Sequence, residues 1–362
     1  MRSKRMLNVG IIGLGVGEQH IAGYLRHPAC SVVAVCDIAD KKRVMAQAKY
    51  PDVRVTADAD EILTDPKIDV VSIASYDNYH YEHIVKGLSN GKHLFVEKPL
   101  CLHQHELEHI QALLQDRPHL KISSNLILRM SPRFRDLKCR IQKGELGTLY
   151  YIEADYHYGR IHKIHHGWRG SIPYYSVVLG GAVHMVDLLL WLTGDSVAEV
   201  AAVGTNIGSK GSCFKYNDTV VAILRCKSGM VAKVVANFPC VHPHFHALSV
   251  YGTKGSFING TDHALLYTSH SAGTIPEVIS TLYPGVHKGD LIYSFIEAIL
   301  NDTEPEVSSN DVFRVMAVCF AIEQAARNGT VTSVCSVGEF NDGTHNTVWQ
   351  ADYRRGRKTG RA

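Results

Sequence analysis

Two styles of hydrophobic patterning divide the chain. Through residue 125, short apolar runs at 7–12, 32–36, 70–74 and 94–96 alternate with segments whose apolar positions recur every three or four residues, at 19–26, 41–48, 79–88 and 102–114. The runs read as strands buried on both faces, with a further short strand at 53–55. The periodic segments read as amphipathic helices. Such an alternation predicts a parallel sheet covered by helices on both faces, with right-handed connections. It gives a doubly wound unit over 1–125.

After Asn125 the pattern changes. Helices are expected at 132–143, stopping at Gly144, and at 180–192. Residues 149–158 alternate as a half-buried strand, and further strands are expected at 197–205, 219–226, 231–237, 247–251 and 256–259. Two helices close the series, at 290–300 and 311–327. This predicts an α+β unit over 126–340 with a mostly antiparallel sheet, one face of which lies under helices. A bare second face calls for burial, so a homodimer or homotetramer is expected.

Composition narrows the class. With 45% hydrophobic and 20% charged residues the chain suits a folded globular protein. The net charge is +3, yet Arg354, Arg355, Arg357, Lys358 and Arg361 crowd the last twelve residues. A basic, flexible tail at 341–362 therefore follows a near-neutral body, and no nucleic-acid partner is expected. No run of about 20 apolar residues occurs, so no membrane partner is expected either. The nine cysteines include no C-x-x-C pair, which fits reduced thiols. The basic start and apolar run to Gly17 mimic a secretory signal, but no small-residue cleavage site follows and Glu18-Gln19-His20 interrupts the run. A cytoplasmic location is expected.

The chemistry begins at Gly13-Leu14-Gly15-Val16-Gly17, placed after the first strand and opening the first helix. Gly13 and Gly15 match the first two glycines of a dinucleotide-binding turn, while Glu18 stands where the third belongs. Asp37, 24 residues beyond Gly13, ends the second strand, where a carboxylate can accept bonds from a ribose diol. It would repel a 2′-phosphate, so NAD is expected in preference to NADP. Lys41, Lys42 and Arg43 weaken that inference. A charged pair, Glu97-Lys98, ends the strand at 94–96, at the carboxyl edge where open α/β sheets bind ligands.

Gly13-Leu14-Gly15, Asp37, Asn78-x-His80, Gly91-Lys92-His93 and Glu97-Lys98-Pro99 together resemble the Gfo/Idh/MocA family of oxidoreductases. Arg129 to Phe134, Gly144 to Gly147, Trp168-Arg169, His184-x-x-Asp187 and Tyr251 to Gly255 continue the resemblance in order, over roughly residues 6 to 335. It implies a Rossmann first domain and NAD(P)-dependent oxidation of a CH–OH group in a sugar, cyclitol or nucleotide sugar. It also implies Lys98 and His184 as catalytic groups, with His184 exchanging the hydroxyl proton. The implied cofactor residues are Gly13, Leu14, Gly15, Val16, Asp37, Ala74, Ser75, Asn78, His80, Glu97, Lys98 and Asn125. Arg129, Trp168, Arg169, Tyr175 and Asp187 are the implied substrate residues. One departure stands out: many family members carry an aspartate four residues before the histidine, and here Gly180 occupies that place.

Residues 157–169 are dense in polar and aromatic groups, and ten of the 21 histidines lie between His157 and His270. Stacking rings and forked donors suit a sugar or a phosphate-bearing ligand. His242, His244 and His246 share a strand face if 242–246 is extended; a polar cleft wall is expected there, and no metal. Two alternatives to a dehydrogenase stay open: NAD-assisted glycoside cleavage, and a non-catalytic NAD-binding regulator.

Overall fold

The computed structural model describes residues 6–335. The tail expected at 341–362 lies outside the described residues.

The first unit runs β1 (Leu7–Ile12), α1 (Gly17–Leu25), β2 (Cys30–Cys36), α2 (Asp40–Lys49), β3 (Arg54–Thr56), α3 (Asp60–Leu63), β4 (Val70–Ile73), α4 (His80–Ser89), β5 (His93–Val96), α5 (Gln104–Gln115) and β6 (Ile122–Ser124). Its six strands form a parallel sheet in the order β3-β2-β1-β4-β5-β6. The order in which strands are added reverses between β1 and β4, which opens a crevice at their carboxyl ends. Strand β6 escapes the hydrophobic pattern because Ser123 and Ser124 are polar though buried. The Ser123 hydroxyl finds an internal acceptor in the Val307 carbonyl at 2.8 Å.

The second unit runs α6 (Pro132–Gln142), β7 (Leu149–His157), α7 (His162–His165), α8 (Trp168–Ser171), α9 (Val183–Thr193), β8 (Val197–Thr205), β9 (Thr219–Cys226), β10 (Val231–Asn237), β11 (Phe245–Gly252), β12 (Ser256–Asn259), β13 (Ala264–Tyr267), β14 (Glu277–Ile279), α10 (Ile292–Asn301), α11 (Ser309–Asn328) and β15 (Thr332–Ser333). Nine strands form one sheet, antiparallel except where β7 meets β10. On its inner face Ile152, Ala154, Ala222, Leu224 and Ala232 are buried, beneath α9 and α11. On its outer face Val203 is 69% exposed and Ile223 47%, so that face carries apolar side chains without cover.

The packing crosses the expected boundary at residue 125. Helix α10 lies against α1 and β5 of the first sheet. Gly23 of α1 approaches so closely that a Cβ there would stand 2.8 Å from the Gly289 carbonyl. His27 Nε2 meets Glu297 Oε1 at 2.8 Å in the same seam. Late chain thus covers the early sheet, and a cleft forms between the halves. Among the described residues no helix is long and apolar enough to cross a membrane.

Candidate active site

The cleft holds a cavity of about 780 Å³ lined from both units. Its first half is a dinucleotide cradle. Gly13 has φ +90°, and a Cβ there would collide with the Ala74 carbonyl, so only glycine makes this turn. A Cβ on Gly15 would meet only the end of Lys42, at 3.5 Å, so its backbone faces open cavity. Gly17 packs α1 onto the sheet, its Cβ position lying 3.1 Å from both Ile11 and Ala74. It thus does the work of the third glycine one residue early. Helix α1 starts with no side-chain cap, leaving amide donors for a pyrophosphate.

Asp37 is buried at the cavity edge. Its carboxylate accepts from the Leu14 amide at 2.7 Å and the Ala39 amide at 2.8 Å, and Lys42 Nζ lies 3.2 Å away. Arg43 donates to the carbonyls of Asp37 and Ile38 and to Asp40, so its guanidinium is already engaged. The basic side chains that weakened the NAD inference are therefore partly committed: Lys42 to Asp37 itself, Arg43 to the backbone. These features fit NAD, with Gly13 to Gly17 at the pyrophosphate and Asp37 at the ribose.

At the centre, Glu97 and Lys98 follow β5. His20 bridges Ser72 Oγ (2.8 Å, Nδ1) and Glu97 Oε1 (3.1 Å, Nε2), and Asn125 Nδ2 donates to the same oxygen at 2.7 Å. Burial opposes the Glu97 charge, but Lys288 and the bonds from His20 and Asn125 outweigh it and hold the carboxyl well below its usual range. Lys98 Nζ donates to the Gly180 carbonyl at 2.7 Å. Burial brings the Lys98 ammonium down to about 8 despite the nearby Asp77. His184 is buried, its Nδ1 has no partner, and burial followed by Lys98 and Lys288 keeps its basicity well below that of free histidine.

Just before His184 the chain makes a π-helical turn, Val178–Ala182. The expected helix start at 180 is thus displaced to Val183. Gly181 presses its backbone onto Tyr156 and Phe238, with a Cβ position 2.6 Å from the Tyr156 ring. At Gly180 a Cβ would fall on the Tyr175 hydroxyl, so that phenol fills the space an acid side chain would take. Tyr175 is packed behind the cavity wall and is not part of its lining.

Of the other expected residues, Val16, Ala74, Ser75, Trp168 and Arg169 line the cavity with those above. Trp168 stacks on Tyr76 at 4.7 Å, joining the two units, and Arg169 lies 4.5 Å over the indole. Leu14, Asn78, His80 and Asn125 do not line it. His80 instead ties loops together, with Nδ1 2.7 Å from the Pro99 carbonyl and Nε2 3.2 Å from that of Ser75. Arg129 and Asp187, expected as substrate contacts, form a buried two-point ion pair at 2.6 and 3.0 Å away from the cavity. Arg129 also bonds Asp311 and the Glu306 carbonyl, so its donors are spent on structure. On α9, which is buried along most of its length, His184 lines the cavity while Asp187 is taken up by Arg129.

The three spaced histidines do not share a strand face. Strand β11 starts at Phe245, and His242 Nδ1 turns to the Pro243 carbonyl. His244 and His246 do enter the cavity wall, bonded to the hydroxyls of Tyr156 (3.0 Å) and Tyr283 (2.8 Å). Arg160 and Lys163, from the polar stretch 157–169, line the cavity too, as do Tyr76, Asp77, Tyr156 and Lys288, to which the sequence assigned no role. The inward parity of β7 marks Tyr156; nothing local marks Lys288, which arrives on a distant loop.

Comparison with known proteins agrees with this geometry. Residues 7–123 match the family model described as oxidoreductase family, NAD-binding Rossmann fold, and residues 134–258 match the GFO/IDH/MocA C-terminal domain. The chain is similar to the scyllo-inositol 2-dehydrogenase (NAD(+)) of Bacillus subtilis, 24% identical, covering 90% of this chain and 96% of that one. It is 25% identical to the myo-inositol 2-dehydrogenase of Thermotoga maritima over 69% of this chain and 74% of the relative. Among solved structures, levoglucosan dehydrogenase in complex with NADH superposes with a TM-score of 0.80 at 22% identity, covering 92% of this chain and 100% of that one. The cradle, the Glu97-Lys98 element and both model matches lead to one conclusion: the chain is an NAD-binding oxidoreductase of the Gfo/Idh/MocA family.

Proposed function

We propose that this protein is a dehydrogenase acting on a CH–OH group of a sugar, cyclitol or nucleotide sugar. When bound, NAD supplies the acceptor or donor of the hydride. The chain supplies the rest. Lys98, lowered to about 8 by burial, is an ammonium near neutral pH, able to give a proton to a carbonyl oxygen, and an amine just above, able to take the proton of the substrate hydroxyl. His184 stays neutral and offers the substrate hydroxyl a hydrogen-bonding partner rather than a strong base. Trp168 gives a stacking surface for a ring, and Arg169 a forked donor beside it. The observation that carries the reading is Lys98 and His184 facing one cavity where the cradle meets the second unit. The inositol and levoglucosan dehydrogenases named above support the substrate class.

Changing Lys98→Met tests it. The specificity constant should fall by about 10²–10⁴, while NADH, titrated by its fluorescence, still binds. A loss below fivefold would contradict the role. The exposed Val203, Val221 and Ile223 on the outer face of the nine-stranded sheet, beside its ion pairs of Lys233 and Arg225, support a homodimer or homotetramer.

A further inference from the structure

The second half of the cavity is lined by an excess of positive charge. Arg160 follows β7, Lys163 sits on α7, Arg169 on α8, and Lys288 arrives on the loop before α10. Among the described residues none of the four has a carboxylate within ion-pair distance. Arg160 rests 5.7 Å over the Tyr158 ring and Arg169 over Trp168, so aromatic faces rather than acids hold the guanidinium groups. Only two acids line this region. Glu97, bonded by His20 and Asn125, offsets Lys288, and Asp77 acts on Lys98 and Arg169, which leaves Arg160 and Lys163 without a neighbouring acid. Burial lowers His244 to about 4, and Arg160, Lys288, Lys98 and Lys163 around it act in the same direction. Every charged group acting on His246 is likewise basic. The basic groups of this cleft outnumber its acids, and that excess of positive charge costs free energy unless a bound anion offsets it.

The cofactor's phosphates do not account for the cluster. Their cradle is the turn between β1 and α1, with Lys42 beside it, whereas Arg160 and His244 lie against Tyr158 and Tyr156 on the other unit, with Lys163 beside Arg160.

We infer that the substrate is an anionic sugar, bearing a carboxylate or phosphate that Arg160, Lys163 and Lys288 receive while a hydroxyl carbon faces Lys98 and His184. The inference rests on the dehydrogenase reading and narrows it. Neutral cyclitols and hexoses leave the cluster unpartnered.

Calorimetry on the protein–NADH complex tests it with matched ligands: glucose, glucuronate and glucose 6-phosphate, with galactose and galacturonate as a second pair. At least one anionic member should bind tenfold or more tightly than its neutral partner, and raising the salt should erode the difference. Comparing uronate with phosphate identifies which anion is preferred. Arg160→Gln and Lys163→Gln should each reduce the anionic-to-neutral affinity ratio several-fold; Lys163 is exposed, so its variant should not disturb folding. Equal or tighter binding of neutral members overturns the inference, as does absence of binding by every anionic member. A loss confined to NADH affinity in both variants assigns the cations to the cofactor and overturns it too. Oxidation of neutral sugars with NAD and no anion preference would overturn the inference alone. Failure to bind NADH would overturn the dehydrogenase reading itself.

Discussion

Gly180 stands four residues before His184, and the structure shows why no acid is missing in a simple sense. The space is occupied by the Tyr175 hydroxyl, and Lys98 takes the Gly180 carbonyl as its acceptor. Gly180→Asp should therefore destabilise the protein, by about 1–3 kcal/mol for overpacking, and should not raise activity. A stable and faster variant in thermal and kinetic assays would contradict this. The pH profile follows from the same residues. Oxidation needs an acceptor for the hydroxyl proton, so kcat/KM should rise as pH increases through about 8, where Lys98 loses its proton. His184, already neutral, should add no limb between pH 6 and 7; an inflection there that vanishes in His184→Asn would contradict the assignment. At this scale the sequence was legible where a motif constrains the backbone, as at Gly13, Asp37 and Lys98. Arg129 was not legible, since the carboxylates that claim it, Asp187 and Asp311, lie far along the chain.

The elements show the same division. Alternation along β7 to β12 and continuous runs in β1, β2, β4 and β5 foretold most of the strands, because burial on one or both faces writes those patterns directly. Strands β6 and β13 to β15 span only two to four residues, too few to write a period, and the π-helical turn at Val178–Ala182 has no periodic signature of its own. Two predictions belong here. The end of β2 holds Asp37, so Asp37→Ser should weaken NAD binding by about tenfold and narrow the discrimination against NADP. Unchanged preference in paired titrations would contradict the ribose role. The Arg129–Asp187 pair ties the segment before α6 to α9, both partners being buried. Arg129→Met should cost about 3–5 kcal/mol in urea unfolding by leaving Asp187 unpaired, and Arg129→Met with Asp187→Leu should recover part of it.

Over the whole molecule, two sheets face the same cleft, one bearing a cofactor cradle and one a cationic wall. The two-unit plan was legible from the change of pattern at Asn125, but the return of α10 to the first sheet was not, because periodicity says nothing about which sheet a helix covers. The outer face of the second sheet gives a further expectation: Ile223→Glu should convert a dimer or tetramer to smaller species in light scattering, and a wild-type monomer would refute assembly there. The account centres on hydride transfer between NAD and a hydroxyl carbon. Its most direct test is absorbance at 340 nm when the protein meets NAD and a panel of inositols, hexoses, hexuronates and nucleotide sugars. The account predicts a rise with at least one member, abolished by Lys98→Met. NAD binding by calorimetry with no rise on any member would contradict it, as would release of free sugar from glycosides without net NADH.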